Sequence, residues 1–286
     1  MAEFCFSSIL MSDVGEPTSF GGAWNHPNQV TRVKWREGIR NEFEAMIKRG
    51  TWTTKSISEV PKERTLIGSR WVFKVKKNGV HRARLVGLGY SQIPGVDFSE
   101  NFSPVVNDVT FRTLLAVMLA KKWSAKLIDV ETAFLYGDLS EEVYMKCPEG
   151  MKEFDGTDES ETCVLLKKSI YGLVQAARNW WKEFIGTLRE QGFEKTSTDS
   201  CLLKKVTDKG IVILCIYVDD VCCIGDEEAI EEAIEKIEKV YAIKKLGDMK
   251  EYVGVTVDKE GNTLTLSLSQ TQSESYQRSL GRKSNT

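Results

Sequence analysis

Apolar side chains recur with helical spacing over residues 35–49, where Trp35, Ile39, Phe43, Met46 and Ile47 share a face and Gly50 supplies a stop. The next stretch changes period. WVFKVK alternates apolar and basic residues, Asn78-Gly79 is a strong turn signal, and VHRARLVGLGY runs outward again, which predicts a β-hairpin. Alternation puts Lys74 and Lys76 on one face of the first strand, and Arg82 and Arg84 on one face of the second. Helical spacing returns over 108–121 through Phe111, Leu114, Leu115, Met118 and Leu119, and a short strand over 125–130 carries Asp129 near its end. A helix is predicted over 170–190, with Trp180, Phe184 and Leu188 inward and Gly192 closing it. Residues 211–218 form an apolar strand, Asp219-Asp220 a tight turn, and 221–224 the returning strand. Ile230, Ala233, Ile234, Ile237 and Tyr241 mark an amphipathic helix, and 251–257 with 263–268 read as a last strand pair turned at Glu260-Gly261-Asn262. This order predicts an α+β fold, an antiparallel sheet backed by helices on one side. Residues 1–30 lack periodicity and read as a loosely ordered lead-in, 31–270 as the folded body, and 271–286 as an irregular tail.

Composition narrows the class. With 286 residues, 41% hydrophobic and 28% charged, the chain can bury a real core and reads as soluble and globular. Its longest apolar runs are strand-sized, and MAEFCFSSILM carries Glu3 and no basic stretch, unlike a signal peptide. Seven cysteines include no C-x-x-C pair, and only His26 and His81 could join them, which argues against a zinc site and fits a reducing compartment. Cys222 and Cys223 lie in an apolar run, as small buried side chains do. The net charge of −2 conceals an uneven distribution. Between Lys62 and Tyr90 eight basic residues stand against Glu63, whereas Asp226 to Lys239 holds seven acids and two lysines. The basic segment can present a phosphate-binding face, or simply solvated strand edges; the acidic one reads as a solvated helix surface.

The run VILCIYVDDVCCIG carries the candidate chemistry. Adjacent carboxylates at the tip of an apolar hairpin repel one another and must stay solvated, so a cation is expected to offset them. Mg²⁺ suits them, because it takes a few carboxylate oxygens and fills its octahedron with water and phosphates. An isolated Asp-Asp pair is more simply an exposed turn. Here a third strand-end carboxylate, Asp129, precedes Ala133-Phe134 in KLIDVETAFLYGDLSEEVYM. Two-metal phosphoryl transfer needs carboxylates converging from separate strands on ions roughly 4 Å apart. Asp129 and Asp219 would bridge both ions and Asp220 would bind more weakly, with Val130 beside Asp129 completing the metal set.

Four blocks then carry a resemblance: RWVFKVKKNGVHRARLVGLGYSQIPGVDFSENFSPVV, LIDVETAFLYGDLSEEVYMKCPEG, LKKSIYGLVQAARNWW and LCIYVDDVCCIG. In order and spacing they resemble the reverse transcriptase of copia-type LTR retrotransposons. The resemblance implies the fingers and palm of a right-hand polymerase with the thumb largely absent, and RNA-directed DNA synthesis. It makes Asp129, Asp219 and Asp220 the catalytic carboxylates, and it implies Mg²⁺, or Mn²⁺ in its place, a primed RNA or DNA template and dNTPs. The setting implied is intracellular: the cytoplasm, a retroelement particle or the nucleus. Phe134 falls where the family has its steric gate against a ribose 2′-hydroxyl, although such a ring could equally be core. Lys76 and Arg84 on the fingers hairpin are expected at the triphosphate, and Tyr171, Gly172 and Gln175 match the nucleotide-pocket block. The family reads LVARG where this chain has Leu85-Val86-Gly87-Leu88-Gly89, and GLKQAPRAW where it has Val174 and Ala177. These departures leave room for a second expectation, a catalytically inert remnant that keeps the fold and weak nucleic-acid binding.

Overall fold

The computed structural model describes residues 15–76, 78–260 and 263–268. It is mixed α+β, as expected, and has two compact units, Met1–Ser103 with Phe134–Glu183 and Pro104–Ala133 with Phe184–Thr286.

In the first unit, helix α1 (Phe20–Trp24) and helix α2 (Gln29–Lys48) replace part of the expected lead-in. Asn28 caps α2 by accepting the Thr31 N–H at 3.0 Å, a local signal that outweighs the lack of apolar periodicity before it. Trp35, Ile39, Phe43 and Met46 are buried, whereas Ile47 is 50% exposed, because one further residue turns about 100° away from the stripe. Strands β1 (Trp52–Ser56), β2 (Leu66–Ile67), β6 (Asp138–Lys146) and β7 (Thr162–Lys168) form a sheet in the order β1-β7-β6-β2, in which β2 runs parallel to β6. The predicted basic hairpin is present as β3 (Ser69–Val75) and β4 (His81–Gly87), with Gly79 at φ +79° in its turn. Trp71 and Phe73 point into the core, where Trp71 meets Phe43 edge-on at 5.1 Å and Phe73 meets Trp35 at 5.3 Å.

The predicted helix over 170–190 is shorter, spanning Ala176–Glu190, with its residues from Phe184 onward in the second unit. Residues 170–175 instead form a turn in which Gly172 adopts φ +88°. Apolar spacing alone could not show this. Trp180, Phe184 and Leu188 are buried as expected.

The second unit is built on a six-stranded antiparallel sheet, order β12-β5-β11-β10-β9-β8. Its strands are β5 (Ser124–Val130), β8 (Glu194–Lys195), β9 (Leu202–Thr207), β10 (Gly210–Tyr217), β11 (Asp220–Gly225) and β12 (Ile243–Asp248). Helix Glu227–Glu238 lays Ile230, Ala233, Ile234 and Ile237 against β10 and β11, and Lys126 on β5 pairs with Glu227 and Glu231 of its acidic face. The other face of the hairpin is covered too. The Cys222 thiol lies 3.4 Å from the Met249 sulfur, and the Tyr252 hydroxyl donates to the Cys215 carbonyl at 2.7 Å. Burial on both faces is why Val221 to Ile224 is a continuous apolar run, with Cys222 and Cys223 both inaccessible. Helix Asp108–Lys121 forms as predicted, and its Phe111 ring packs 5.0 Å from Tyr252. The last expected strand pair is interrupted. Val253 and Gly254, at φ +49° and +77°, turn Glu251–Tyr252 onto Val255–Glu260, which then pairs with Thr263–Leu268. The proposed turn residues Gly261 and Asn262, and the tail over 271–286, lie outside the described residues.

Candidate active site

The carboxylate cluster belongs to the second unit and follows from strand register. The hairpin closes at Tyr217 opposite Asp220, so its two-residue turn is Val218-Asp219 rather than Asp219-Asp220, and Asp220 is already in β11. A two-residue hairpin loop needs a positive φ, and here Val218 supplies it at +58°. A β-branched residue is rare in that region, which makes the turn a strained one, at a cost of about 1–3 kcal/mol. Asp220 lies directly opposite Asp129 in the β5–β11 pair, and the Val130 N–H donates to the Asp219 carbonyl at 2.9 Å. Val130 itself is buried. Directly opposed residues share a face of the sheet, with Cβ atoms about 5 Å apart. Two carboxylates on neighbouring strands thus stand side by side, with the third in the turn above them.

Burial, then the charges of Asp219 and Asp129, push the Asp220 carboxyl up to about 6. Among the described residues, no three His, Cys, Asp or Glu side chains are drawn together closely enough to hold a metal ion. Strand register places Asp129 and Asp220 side by side with Asp219 in the adjoining turn. The donor set, all hard oxygens with surplus negative charge, fits Mg²⁺ or Mn²⁺ and no soft metal.

Between pH 4 and 6 the folded chain holds a proton on Asp220 that the unfolded chain has lost, so this group's stabilising contribution falls as pH rises through that window. Asp220→Asn is expected to melt higher than the parent at pH 7.5 without divalent ions, by ~1 kcal/mol or about 2–4 °C after allowance for its partial solvation. The difference should close by pH 4. Thermal melts at the two pH values check both the sign and the window.

Sequence reasoning missed three neighbours of this cluster, Lys244, Glu251 and Tyr252. Lys244 on β12 stands directly opposite Asp129 on its other side, so a cation shares the register of the acids. Its signal was the edge strand IKKLGD following the amphipathic helix. Glu251 and Tyr252 join Leu127, Tyr217 and Asp220 in lining a hollow of about 330 Å³ beside the hairpin.

The remaining candidates belong to the first unit. Lys74 is opposite Arg82, and Val72 opposite Arg84, so the two arginines do share a face. Like charges opposed across strands are unfavourable unless an anion offsets them, and Lys74 has Glu16 at 3.8 Å. Lys76 is exposed at the end of β3, its backbone N–H donating to the Val80 carbonyl at 2.9 Å. The Arg84 guanidinium lies 4.1 Å over the Tyr171 ring, and its Nη2 donates to the Tyr171 hydroxyl at 3.0 Å. Tyr171 in turn meets Phe134 edge-on, with centroids 4.6 Å apart, and both rings are half-buried. Arg84, Tyr171 and Phe134 are therefore brought together.

Gly172 and Gln175 are both engaged in the packing of this unit. The Gly87 N–H donates to the Tyr171 carbonyl at 2.8 Å, and a Cβ on Gly172 would overlap the Gly87 carbonyl oxygen. Gly172→Ala is expected to destabilise the chain by about 2 kcal/mol or more, from positive φ and a backbone clash together, read from the denaturant midpoint. Gln175 is buried, its Nε2 donating to the Asp97 carbonyl at 2.9 Å and its Oε1 accepting from Gln92 Nε2 at 3.0 Å. Its amide is engaged on both sides in holding the 89–98 loop. Val174 joins the same network through its N–H to Gln92 Oε1 at 2.9 Å.

Residues 51–278 match the family described as reverse transcriptase (RNA-dependent DNA polymerase), a match that runs past residue 270, where the sequence pattern was expected to end. The Pol polyprotein of transposon TNT 1-94 from Nicotiana tabacum is 35% identical over 269 residues, covering 92% of this chain and 20% of that protein. That of transposon RE2 from Arabidopsis thaliana is 32% identical over 240 residues, covering 82% and 16%. The chain thus spans a fifth or less of these relatives. Among solved structures, a foamy viral protease-reverse transcriptase in complex with dsDNA is similar at 12% identity and a TM-score of 0.43, over 85% of this chain and 43% of that one.

Proposed function

Because the chain belongs to the reverse transcriptase family, of the copia retrotransposon type, we propose that it extends a primer on an RNA or DNA template with dNTPs. The observation that carries this reading is Asp129 opposite Asp220 across β5–β11, with Asp219 in the adjoining turn. In this reading the second unit is the palm and the basic hairpin belongs to the fingers. Asp129, Asp219 and Asp220, with Val130 adjoining, would hold the divalent ions, which when bound favour the ionised primer 3′-hydroxyl and offset charge on the leaving pyrophosphate. Asp220, which stands in β11 beyond the turn, is assigned the weaker role of the three. Phe134, five residues after Asp129 on the chain, is the sugar gate.

Lys76 and Arg84 are assigned to the triphosphate, where charge-assisted bonds to phosphate favour flexible cations. Lys76→Ala and Arg84→Ala should raise the dNTP KM about tenfold and leave primer–template affinity unchanged. If they track the template backbone instead, binding weakens for every sequence and the salt slope falls by roughly one unit per lost contact. Titrations in dNTP and in salt separate the two.

RNA-templated primer extension with dNTPs and Mg²⁺ tests the proposal as a whole. Failure of a folded chain to extend would favour the second reading, an inert remnant, for which the observation is Leu88 and Val174 standing where the family carries cations.

A further inference from the structure

We infer that Glu42, Arg84 and Tyr171 form a brace that fixes the angle of the Phe134 ring, which makes them positioning residues for sugar selection. The inference rests on reading Phe134 as the sugar gate and adds what holds that gate in place.

Phe134 is half-buried, so part of its ring is not fixed by the core, and the edge-on contact with Tyr171 at 4.6 Å and 68° orients it. Tyr171 is held at three points. Its ring face lies under the Arg84 guanidinium, its hydroxyl accepts from Arg84 Nη2 at 3.0 Å, and its carbonyl accepts from the Gly87 N–H at 2.8 Å. A guanidinium that both stacks on a ring and donates to its hydroxyl fixes tilt and position together, which an ammonium cannot reproduce. The strand that carries Arg84 is tied to α2 at the next residue, where Glu42 accepts the N–H of Leu85 at 3.2 Å. Burial pushes the Glu42 carboxyl up to about 7, against the hydrogen bond from Leu85 and the charges of Arg84 and Arg82, which pull it down. The sequence signal was an acid set within the apolar stripe of Ile39, Phe43 and Met46.

Arg84 has five N–H donors, so holding Tyr171 leaves donors for a phosphate. Phosphate contacts are common to both sugars. The ratio of dNTP to rNTP use therefore reports the brace and cancels the grip on the triphosphate.

The test compares dATP with ATP for the parent and for Phe134→Ala, Tyr171→Phe, Arg84→Lys and Glu42→Gln. The ratio is read as relative kcat/KM on a primed RNA template. It is read again as relative Kd in ternary complexes held with Ca²⁺, which needs no turnover. Tyr171→Phe keeps the ring and loses the bond to Arg84, so its selectivity is expected to fall about fivefold. Arg84→Lys should match it, Glu42→Gln should move the same way by less, and adding Tyr171→Phe to Phe134→Ala should cost nothing further. If Phe134→Ala alone lowers the ratio while the brace variants keep the parent value, the gate stands and the brace is overturned. A ratio unmoved by Phe134→Ala, or no binding of either nucleotide, removes the gate and the brace with it.

Discussion

Asp219→Asn is expected to abolish primer extension, by at least about 1,000-fold, while the fold survives. Asparagine keeps the size of the side chain and removes the charge. The turn is held by Tyr217 opposite Asp220 and by the Val130 N–H on the Asp219 carbonyl, none of which needs the carboxylate. Asp129→Asn should behave alike, because its strand is fixed by backbone pairing to both β11 and β12. Asp220→Asn should be damaging but less complete. The extension assay is read beside a thermal melt, which is expected to show Asp219→Asn at least as stable as the parent. Full activity in either Asp129→Asn or Asp219→Asn would sink the assignment of these acids.

Phe134→Ala carries the second large effect. Removing the ring should let rNTPs in, lowering the dNTP to rNTP ratio about tenfold to a hundredfold with a modest loss of dNTP use. The ring is neither fully buried nor free of the core, since it packs against the first unit's hydrophobic cluster as well as Tyr171. A moderate loss of stability is therefore expected as well, and the ratio rather than the rate is the informative readout. An unchanged ratio would leave Phe134 a packing residue only.

What the sequence could show depended on how local each determinant was. The hairpin over 69–87 and the helices over 108–121 and 227–238 were legible because period, turn chemistry and burial agree there. The carboxylates were legible as residues, yet the turn was misplaced by one position. Nothing in YVDD tells which two residues bear the loop when a valine must take positive φ. Residues 170–175 were misjudged because their spacing imitates a helix, while the actual constraint is a long-range approach of Gly172 to Gly87. Gln175 read as a pocket residue, but its partners Gln92 and Asp97 lie some eighty residues away on the chain. Lys244 and Glu42 were missed for the same reason. Their local signals, an edge strand and an acid within an apolar stripe, acquire meaning only from strand register and a long-range backbone contact.

Asp129, Asp219 and Asp220 are proposed together as a divalent-ion centre. Mn²⁺ titration followed by electron paramagnetic resonance, in the presence of dATP, tests it without requiring turnover. The parent should bind Mn²⁺ that the double variant Asp129→Asn with Asp219→Asn does not bind, beyond what dATP takes up alone. Equal uptake by the two proteins would contradict it.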